Sequence, residues 1–341
     1  MLNQGKGSAY DTYFLNTRFV LIVLVVIGNL LMPLLPRDAE AQAIVLTIFT
    51  FHMPVFVFVT GHFSKSFPKD PHAMRILMTI VLQYVIFQSL YSALDFLFFH
   101  TGGTIYSFWA PYWMLWFLFS HLCWKLLLLL FIKIKQPLAA AVLIGIAVGY
   151  LPFDGLWLSV SRTFVFFPFF LAGYYYRGEW LQKAARQPLA KLAGSLVLLL
   201  VIAGFYSGRL PAGIDWLLGS RTYGELHLMH WYAGLYRMGY YAAAVLVSAA
   251  FLLLQTERKG RLTEWGERTV YVFLLHGAGL KLLAAAGLYS MAGFPAGIPV
   301  LLGSAIVLTV LLSHARVAAL THPLIHPDPV LLSKARHFRR A

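Results

Sequence analysis

Charged residues are scarce in this 341-residue chain. Only 12% of the residues are Asp, Glu, Lys or Arg, whereas 60% are hydrophobic and the mean hydropathy is +0.72. A soluble globule of this length needs a much larger polar surface, so the composition excludes that class. The sequence predicts a polytopic membrane protein.

Cysteine is almost absent as well. The single Cys123 lies in an apolar run, which excludes an intramolecular disulfide and leaves the redox compartment open. The sequence also lacks internal repeats, low-complexity tracts and a second polar domain, so residues 1–341 are treated as one domain. No cleavable signal is expected, because the first apolar run is long and contains Arg18.

Basic residues outnumber acidic ones, 27 to 13, which gives a formal net charge of +14. They lie in short connectors and not on one face interleaved with aromatics, so no nucleic-acid partner is expected. If the spans alternate, most of them fall on one side, and both termini are predicted to be cytoplasmic. That side receives Lys65, Lys69, Arg75, Lys133, Lys135, Arg177, Lys183, Arg186, Arg258, Lys259, Arg261, Arg268, Lys334, Arg336, Arg339 and Arg340.

Long apolar windows predict the elements that cross roughly 30 Å of hydrocarbon. Runs such as 196–200 do not alternate apolar and polar residues, so we expect helices and not a barrel. The predicted fold class is all-α, a polytopic membrane helical bundle of about ten transmembrane helices. The windows are 14–36, 41–62, 75–99, 112–132, 137–152, 160–177, 188–208, 232–254, 269–289 and 296–315.

Ionisable residues interrupt the second window. His52 lies near its middle, and His62 and Lys65 lie at its end. An ionisable side chain at membrane depth costs about 2.5 kcal/mol or more, so it is kept where it pairs, lines a cavity or meets a substrate. This segment is where we expect the chemistry.

The predicted topology also orders other polar residues by depth. At about 1.5 Å of rise per residue, Arg18 lies near the cytoplasmic end of the first span and Asn29 about 16 Å further out. His121 and His276 fall near mid-depth, and Arg162 lies toward the external end of its span. These positions predict a polar path across the membrane.

Five segments, in this order along the chain, carry a resemblance to a known family. They are 18–30, 51–54, 111–118, 161–170 and 268–277. Together they resemble the acyltransferase-3 family of integral-membrane acyltransferases, and within it the fucose 4-O-acetylase-like branch. The likeness spans nearly the whole chain, which makes it more specific than any single motif.

The resemblance implies a multi-pass enzyme of the bacterial inner membrane. Such an enzyme transfers an acyl group, usually acetyl from acetyl-CoA, to a sugar hydroxyl of an extracellular or lipid-linked polysaccharide. Acetyl-CoA would be the donor, and no permanently bound cofactor is expected.

One position departs from the family pattern. Family members typically end the first-span motif with Gly-His, whereas this chain has Gly28 and Asn29. Asparagine can orient a hydroxyl or donate to an oxyanion, but it cannot take a proton near neutral pH. Either another histidine acts as base, or catalysis is impaired, or the chain has been repurposed.

Acyl transfer needs a base and an oxyanion donor. His52 is the leading base, since imidazole suits that role, and the alternative is a structural histidine bonded to a neighbouring helix near Pro54. Asn29 fits the oxyanion donor, and the alternative is a simple interhelical hydrogen bond. His276, in the segment that resembles the family's C-terminal span, is a further catalytic candidate, with a packing or interhelical contact as its alternative. His121 has no motif support and is interpreted as structural.

Coenzyme A would bring several phosphates to the cytoplasmic side, where fixed positive charge would hold them. Arg18 is the first candidate, and Lys65 and Arg75 are further ones. The alternatives are snorkelling of Arg18 to the headgroups and positive-inside anchoring of the others. No glycine-rich phosphate loop of recognised spacing supports the site.

The longest external connector, about 209–231, combines aromatic and hydrogen-bonding residues. Arg221, Glu225 and Trp231 are predicted to contact the sugar, although interfacial aromatic belts have the same composition. Arg162 is predicted to steer the acceptor or the acyl carbonyl, with snorkelling as its alternative. A histidine pair in the connector lacks a third ligand, so no metal is expected.

The sequence is therefore interpreted as a membrane O-acyltransferase whose partners are acetyl-CoA, a polysaccharide or lipid-linked sugar, and the bilayer. One alternative is a glycan or lipid transporter, although no inverted repeats are visible. Another is a catalytically silent assembly partner, a reading supported only by Asn29.

Overall fold

The computed structural model describes residues 9–102, 104–152, 155–211, 213–291 and 297–328. These residues form helices and connectors without a β-strand, which confirms the all-α class. The α-helices are α1 (Ala9–Leu31), α2 (Ala39–His62), α3 (Ala73–Leu94), α4 (Trp116–Phe131), α5 (Pro137–Ala147), α6 (Val160–Tyr175), α7 (Trp180–Ala185), α8 (Pro188–Tyr206), α9 (Ile214–Leu218), α10 (Ala233–Leu253), α11 (Arg261–Glu267), α12 (Thr269–Ala285), α13 (Leu288–Met291), α14 (Gly297–Leu312) and α15 (Ala315–Ile325).

Each of the ten predicted windows overlaps one of α1, α2, α3, α4, α5, α6, α8, α10, α12 and α14, but the lengths of these helices differ. By length and composition, six stretches of the described chain are candidates to cross a membrane, and α14 with α15, bent by 69°, would add a seventh. The helices α5, α6 and α12 are shorter, with 11, 16 and 17 residues. The chain is thus a multi-pass membrane protein, and the count of ten stays a prediction. The six candidates are Asp11–Leu34, Ala39–Lys69, Ala73–Phe99, Trp113–Phe131, Pro188–Tyr206 and Ala233–Leu253.

Contacts join two of the basic connectors, the one after α7 and the one after α10, at the end of the bundle where α1 begins. The side-chain amide of Asn16 donates to the carbonyl of Thr256 at 2.8 Å. The next residue, Glu257, pairs with Arg186 at 2.6 Å. This arrangement agrees with alternating spans. The predicted cytoplasmic side of both termini stays a prediction, and the tail residues Lys334, Arg336, Arg339 and Arg340 lie outside the described residues.

Helix α2 lies at the centre and packs on α1, α6, α8 and α10. Gly61 on α2 faces Phe170, and Gly173 on α6 faces Phe58. A Cβ at either glycine would overlap the backbone carbonyl of the facing residue. The missing side chains therefore let the α2 and α6 backbones touch, as small residues do between membrane helices. This contact fixes α6 relative to His52 on α2.

The start of α2 is set by a side-chain cap. Asp38 accepts a hydrogen bond from the amide of Ala41 at 2.7 Å, a contact that stabilises a helix by about 1 kcal/mol. Further along, Pro54 lies inside the helix and cannot donate to the carbonyl of Thr50. Residues flanking this proline form part of the site described below.

A buried glutamine folds the connector between α3 and α4 against the bundle. The side-chain amide of Gln88 donates to the carbonyl of Ser107 at 2.9 Å, and its oxygen accepts from the amide of Tyr112 at 2.8 Å. The connector therefore has a fixed shape where it enters α4. Its last residues form one wall of the candidate site.

Candidate active site

Three adjoining cavities lie along the bundle. The inner cavity, about 230 Å³, is lined by Arg18 and Lys125 among others. The central cavity, about 120 Å³, is lined by His52. The outer cavity, about 560 Å³, is lined by Tyr112 and Lys281. The names inner and outer follow the predicted topology.

Neighbouring cavities share wall residues, so they adjoin in series. Phe56, Phe117 and Phe273 line both the inner and the central cavity, and we name them the phenylalanine partition. The Phe117 ring centroid lies 5.5 Å from that of Phe56 and 5.4 Å from that of Phe273. The central and outer cavities share Asn29, Met32, Trp113 and Arg162. The predicted polar path is thus a series of cavities interrupted by an aromatic partition.

His52 presents an unprotonated nitrogen at the central cavity. Its Nδ1 lies 2.8 Å from the carbonyl oxygen of Ile48. Because a carbonyl can only accept, Nδ1 carries the proton and Nε2 has a lone pair. Nε2 makes no hydrogen bond within the described part of the chain, and the ring packs edge-on against Phe49, with centroids 4.6 Å apart. His52 bonds its own helix and not a neighbouring one, and it can accept a proton.

Asn29 and His276 form a hydrogen-bonded pair between α1 and α12. His276 is fully buried, and its Nδ1 donates to the carbonyl of Phe273 at 2.8 Å. Its Nε2 therefore accepts from Nδ2 of Asn29, at 3.2 Å. Asn29 lines the central and outer cavities, and its second amide proton makes no hydrogen bond among the described residues. His276 lies behind Asn29 and lines neither cavity. The interhelical bond and a role for Asn29 at the cavity coexist.

Arg162 lies where the central and outer cavities meet. Its Nε donates to the carbonyl of Leu218 at 3.3 Å, and its guanidinium lies 4.9 Å from the centre of the Trp116 ring. No carboxylate pairs with it among the described residues. The half-buried cation is thus held by a carbonyl and an aromatic face, and it remains able to bind an anion or a developing oxyanion.

Strained backbone borders the same place. Trp113 has a φ of +41°, and Leu158 and Ser159, directly before α6, have φ values of +54° and +50°. Such conformations cost a non-glycine residue about 1–3 kcal/mol and persist where surrounding contacts impose them. Here they set the starts of α4 and α6, which carry Trp116 and Arg162 to the cavity.

The inner cavity brings together cations from separate helices. Arg18 on α1 donates to Oγ1 of Thr269 at 2.7 Å. Lys125 on α4 is buried and donates to Oγ of Ser64 at 3.2 Å. His121, one turn before Lys125, has a buried Nε2 without a hydrogen-bond partner in the described chain. The sequence predicted Arg18 here, whereas His121 belongs to this cavity and not to the layer of His52.

Two other predicted donor-site cations lie elsewhere. Lys65 donates to Nδ1 of His62 at 2.9 Å and to the carbonyl of Tyr176. Arg75 is exposed and pairs with Asp328 at 3.2 Å. Neither lines the inner cavity, and both assignments stay predictions.

A buried carboxylate organises the outer cavity. Asp95 is fully buried and accepts from Nζ of Lys281 at 2.6 Å and from the Tyr112 hydroxyl at 2.8 Å. Thr101 and Tyr106 also donate to it. Because a carboxylate only accepts, the Tyr112 hydroxyl is the donor in its bond to Asp95. Lys281 and Tyr112 line the cavity in fixed orientations.

Sequence reasoning missed Lys125, Asp95 and Lys281. The signal was present, since each is an ionisable residue in or beside an apolar window. Lys125 and Lys281 lie in predicted helices, but which cavity each one lines depends on helices that are distant in sequence. The pairing of Asp95 with Lys281, 186 positions apart, has no sequence signal.

The predicted sugar-binding residues of the external connector lie apart from the three cavities. Arg221 is exposed and pairs with Asp215 at 3.2 Å. Glu225 accepts from the amides of Thr222 and Gly155, and the Trp231 side chain is 83% exposed. None of the three is among the described residues that line these cavities, and their sugar contact stays a prediction. The connector reaches the central cavity through 217–218 instead.

Comparison with known proteins places these features in a family. A profile of the acyltransferase-3 family, described as an acyltransferase domain, matches residues 12–314. No curated protein and no solved structure matches the chain. The profile match does not test the fucose 4-O-acetylase-like branch. Since the match covers most of the chain and includes all three cavities, the chain belongs to the acyltransferase-3 family of membrane acyltransferases.

Proposed function

We propose that the protein transfers an acetyl group from acetyl-CoA, bound at the inner cavity, to a sugar hydroxyl bound at the outer cavity. The supporting observation is the series of cavities with the free Nε2 of His52 at its centre. The proposal includes about ten spans, cytoplasmic termini and the bacterial inner membrane. The acceptor is an extracellular or lipid-linked polysaccharide of the kind modified in the fucose 4-O-acetylase-like branch.

In the proposed reaction, His52 removes the proton of the sugar hydroxyl. The hydroxyl oxygen then attacks the thioester carbonyl, and the oxyanion accepts hydrogen bonds from Asn29 and Arg162. Collapse of this intermediate forms the sugar ester and breaks the carbon–sulfur bond, and the CoA thiolate takes the proton from His52. His276 acts through Asn29, because its Nε2 holds one amide proton and thereby orients the other.

The phenylalanine partition suits a donor that is charged at one end and slender at the other. The phosphates of acetyl-CoA would stay in the inner cavity with Arg18 and Lys125, because moving them into apolar surroundings is costly. The acylated arm would pass between the rings to reach His52. Lys65 and Arg75 are proposed to attract the nucleotide from outside this cavity.

The outer cavity suits a sugar ring. Its wall combines the faces of Tyr112, Trp113 and Tyr289 with the hydroxyls of Thr101 and Thr104. Aromatic faces and hydrogen-bonding groups together match the apolar faces and hydroxyls of a carbohydrate. Arg221, Glu225 and Trp231 are proposed to contact more distant units of a polymeric acceptor.

The test is an assay of purified protein with acetyl-CoA and a panel of bacterial polysaccharides. We expect release of free CoA together with an ester on the sugar, detected by mass spectrometry, and loss of both in His52→Ala. Transport of the glycan into liposomes with CoA release at background would favour a transporter. No transfer with any acceptor, from either the parent or Asn29→His, would favour a silent partner.

A further inference from the structure

A fourth cavity lies on the far side of α1 from the inner cavity. It measures about 270 Å³ and is lined by Tyr13 of α1, by residues of α7 and α8, and by 255–258 after α10. Tyr13 and Arg18, five residues apart in α1, point to different sides of that helix. The cavity, which we name the α7 cavity, therefore does not belong to the proposed reaction path.

Gln182, which lines the α7 cavity, has a buried amide without a partner among the described residues. Gln182 is 4% exposed, and neither its Oε1 nor its Nε2 makes a hydrogen bond within the described chain. Leaving such a group unsatisfied costs about 1–3 kcal/mol per buried polar atom. The amide offers one acceptor and two donors at the cavity wall, which points to a ligand that both accepts and donates.

The charges around the amide favour an anion. Arg186, Lys191 and Arg258 line the cavity with a single acid, Glu257. Both oxygens of Glu257 are engaged by Arg186, at 2.6 and 3.0 Å. Lys191 and Arg258 form no ion pair among the described residues. Two cations thus remain for a phosphate, which Lys and Arg bind through charge-assisted hydrogen bonds.

The position of the α7 cavity matches the surface of a bilayer. Lys191 lies in the first turn of α8, a candidate span, and the neighbouring Leu189 and Leu192 are 77% and 55% exposed. Trp180, at the start of α7, is 61% exposed, as expected of an aromatic residue at the membrane interface. A lipid headgroup could therefore enter from the side.

We propose that the α7 cavity binds a phosphoester that carries an adjacent hydroxyl, the chemistry of a phosphatidylglycerol headgroup. The phosphate contacts Lys191 and Arg258 and accepts from Nε2 of Gln182, while the hydroxyl donates to Oε1 of Gln182. The same chemistry occurs in soluble glycerol phosphates, so the test includes both sources.

The test measures the thermal unfolding of the purified full-length protein in a neutral detergent. Dihexanoylphosphatidylglycerol, glycerol 3-phosphate and inorganic phosphate are titrated separately. We expect phosphatidylglycerol to raise the Tm of the parent protein by about 2 °C or more, because a ligand that binds only the folded state stabilises it. An equal shift with glycerol 3-phosphate would support the same site with a soluble ligand.

Gln182→Leu is the decisive variant. It should keep the ligand-free Tm, because an unpaired amide is replaced by an apolar group of similar size, and it should lose the ligand-induced shift. Lys191→Gln and Arg258→Gln should each weaken binding about tenfold. Lys183→Gln is the matched control, since Lys183 lies on the same short helix but outside the cavity, paired with Glu179.

Three results would overturn the proposal. The first is a parent protein whose Tm does not respond to any of the three compounds. The second is a full ligand-induced shift in Gln182→Leu. The third is an equal loss of binding in Lys183→Gln and Lys191→Gln, which would indicate general surface attraction.

Discussion

The central cavity and the external connector, residues 209–231, contain similar polar side chains, but these side chains differ in whether they have hydrogen-bond or ion-pair partners. In the cavity, Nε2 of His52 has no partner among the described residues, and Arg162 has no acid. In the connector, Arg221 pairs with Asp215 and Glu225 is occupied by backbone amides. Arg221 and Glu225 are thus paired within the connector, whereas His52 and Arg162 each keep hydrogen-bonding atoms without a partner among the described residues.

This difference gives a criterion for choosing candidate catalytic residues in a membrane protein. A connector can neutralise its charges locally, because residues a few positions apart meet in a turn, as Thr222 and Glu225 do. A side chain inside an apolar helix has few local partners beyond its own backbone. If it remains unpaired in the folded bundle, it is a candidate for a functional role.

The largest effect is expected at His52. His52→Ala should lower kcat about 10²-fold or more, because no other group described at the central cavity has a free lone pair suited to proton transfer. CoA release at saturating substrate measures this. His227→Ala in the connector is the matched control and should resemble the parent. Equal activity of His52→Ala and the parent would remove His52 from the mechanism.

The two arginines give a direct contrast between the regions. Arg162→Gln should lower kcat about tenfold or more, because it removes the only cation at the junction of the central and outer cavities that lacks an acid among the described residues. Arg221→Gln should change activity by less than about twofold, since an exposed ion pair contributes little. A larger loss in Arg221→Gln than in Arg162→Gln would mean that contact in the connector contributes more to transfer than the cation at the central cavity.

Substitutions at Asn29 distinguish the proposed hydrogen-bond donor from the proposed base, His52. Asn29→Ala should lose about tenfold or less in kcat, a smaller factor than His52→Ala, because it removes a donor and not the base. Asn29→His should be tolerated or improved, since it restores the family pattern. His276→Ala should match Asn29→Ala, and the double variant should lose little more than either single variant. Additive losses would mean that His276 acts independently of Asn29.

In the connector, the expected effect is on stability. Glu225→Ala leaves the amides of Thr222 and Gly155 without their acceptor and should lower the free energy of unfolding by about 1–3 kcal/mol. The kcat of the folded fraction should stay close to that of the parent. A normal Tm with a raised KM for the polysaccharide would instead support direct sugar contact.

The smallest effect is expected at Trp231. Its side chain is 83% exposed, so Trp231→Ala should change neither the Tm nor transfer to a short acceptor. Transfer to long polysaccharide is the informative measurement. A rise in KM limited to long chains would place Trp231 on the path of the polymer, whereas a loss with short acceptors would contradict the separation of the two regions.

Much of the candidate site was predictable because it obeys a local rule. His52, Asn29 and Arg162 are polar residues in apolar windows, and all three line the central cavity as that rule suggests. The same rule applied to Lys125 would have added it to the donor site. The predicted depth of His121 did not identify the cavity that it lines. Counting residues along a helix gives the height of a side chain in the membrane, but not the neighbours that the side chain faces.

The sequence by itself determined the membrane class, the all-α fold and the approximate positions of the ten helices that its apolar windows overlap, because hydrophobic length and helical hydrogen bonding are local properties. Only the tertiary structure decided which polar groups meet. Asn29 and His276 lie 247 positions apart, and their contact depends on how α1 and α12 pack. Long-range packing, and not the local pattern, left His52 a free nitrogen and gave the Asn29 amide a fixed orientation.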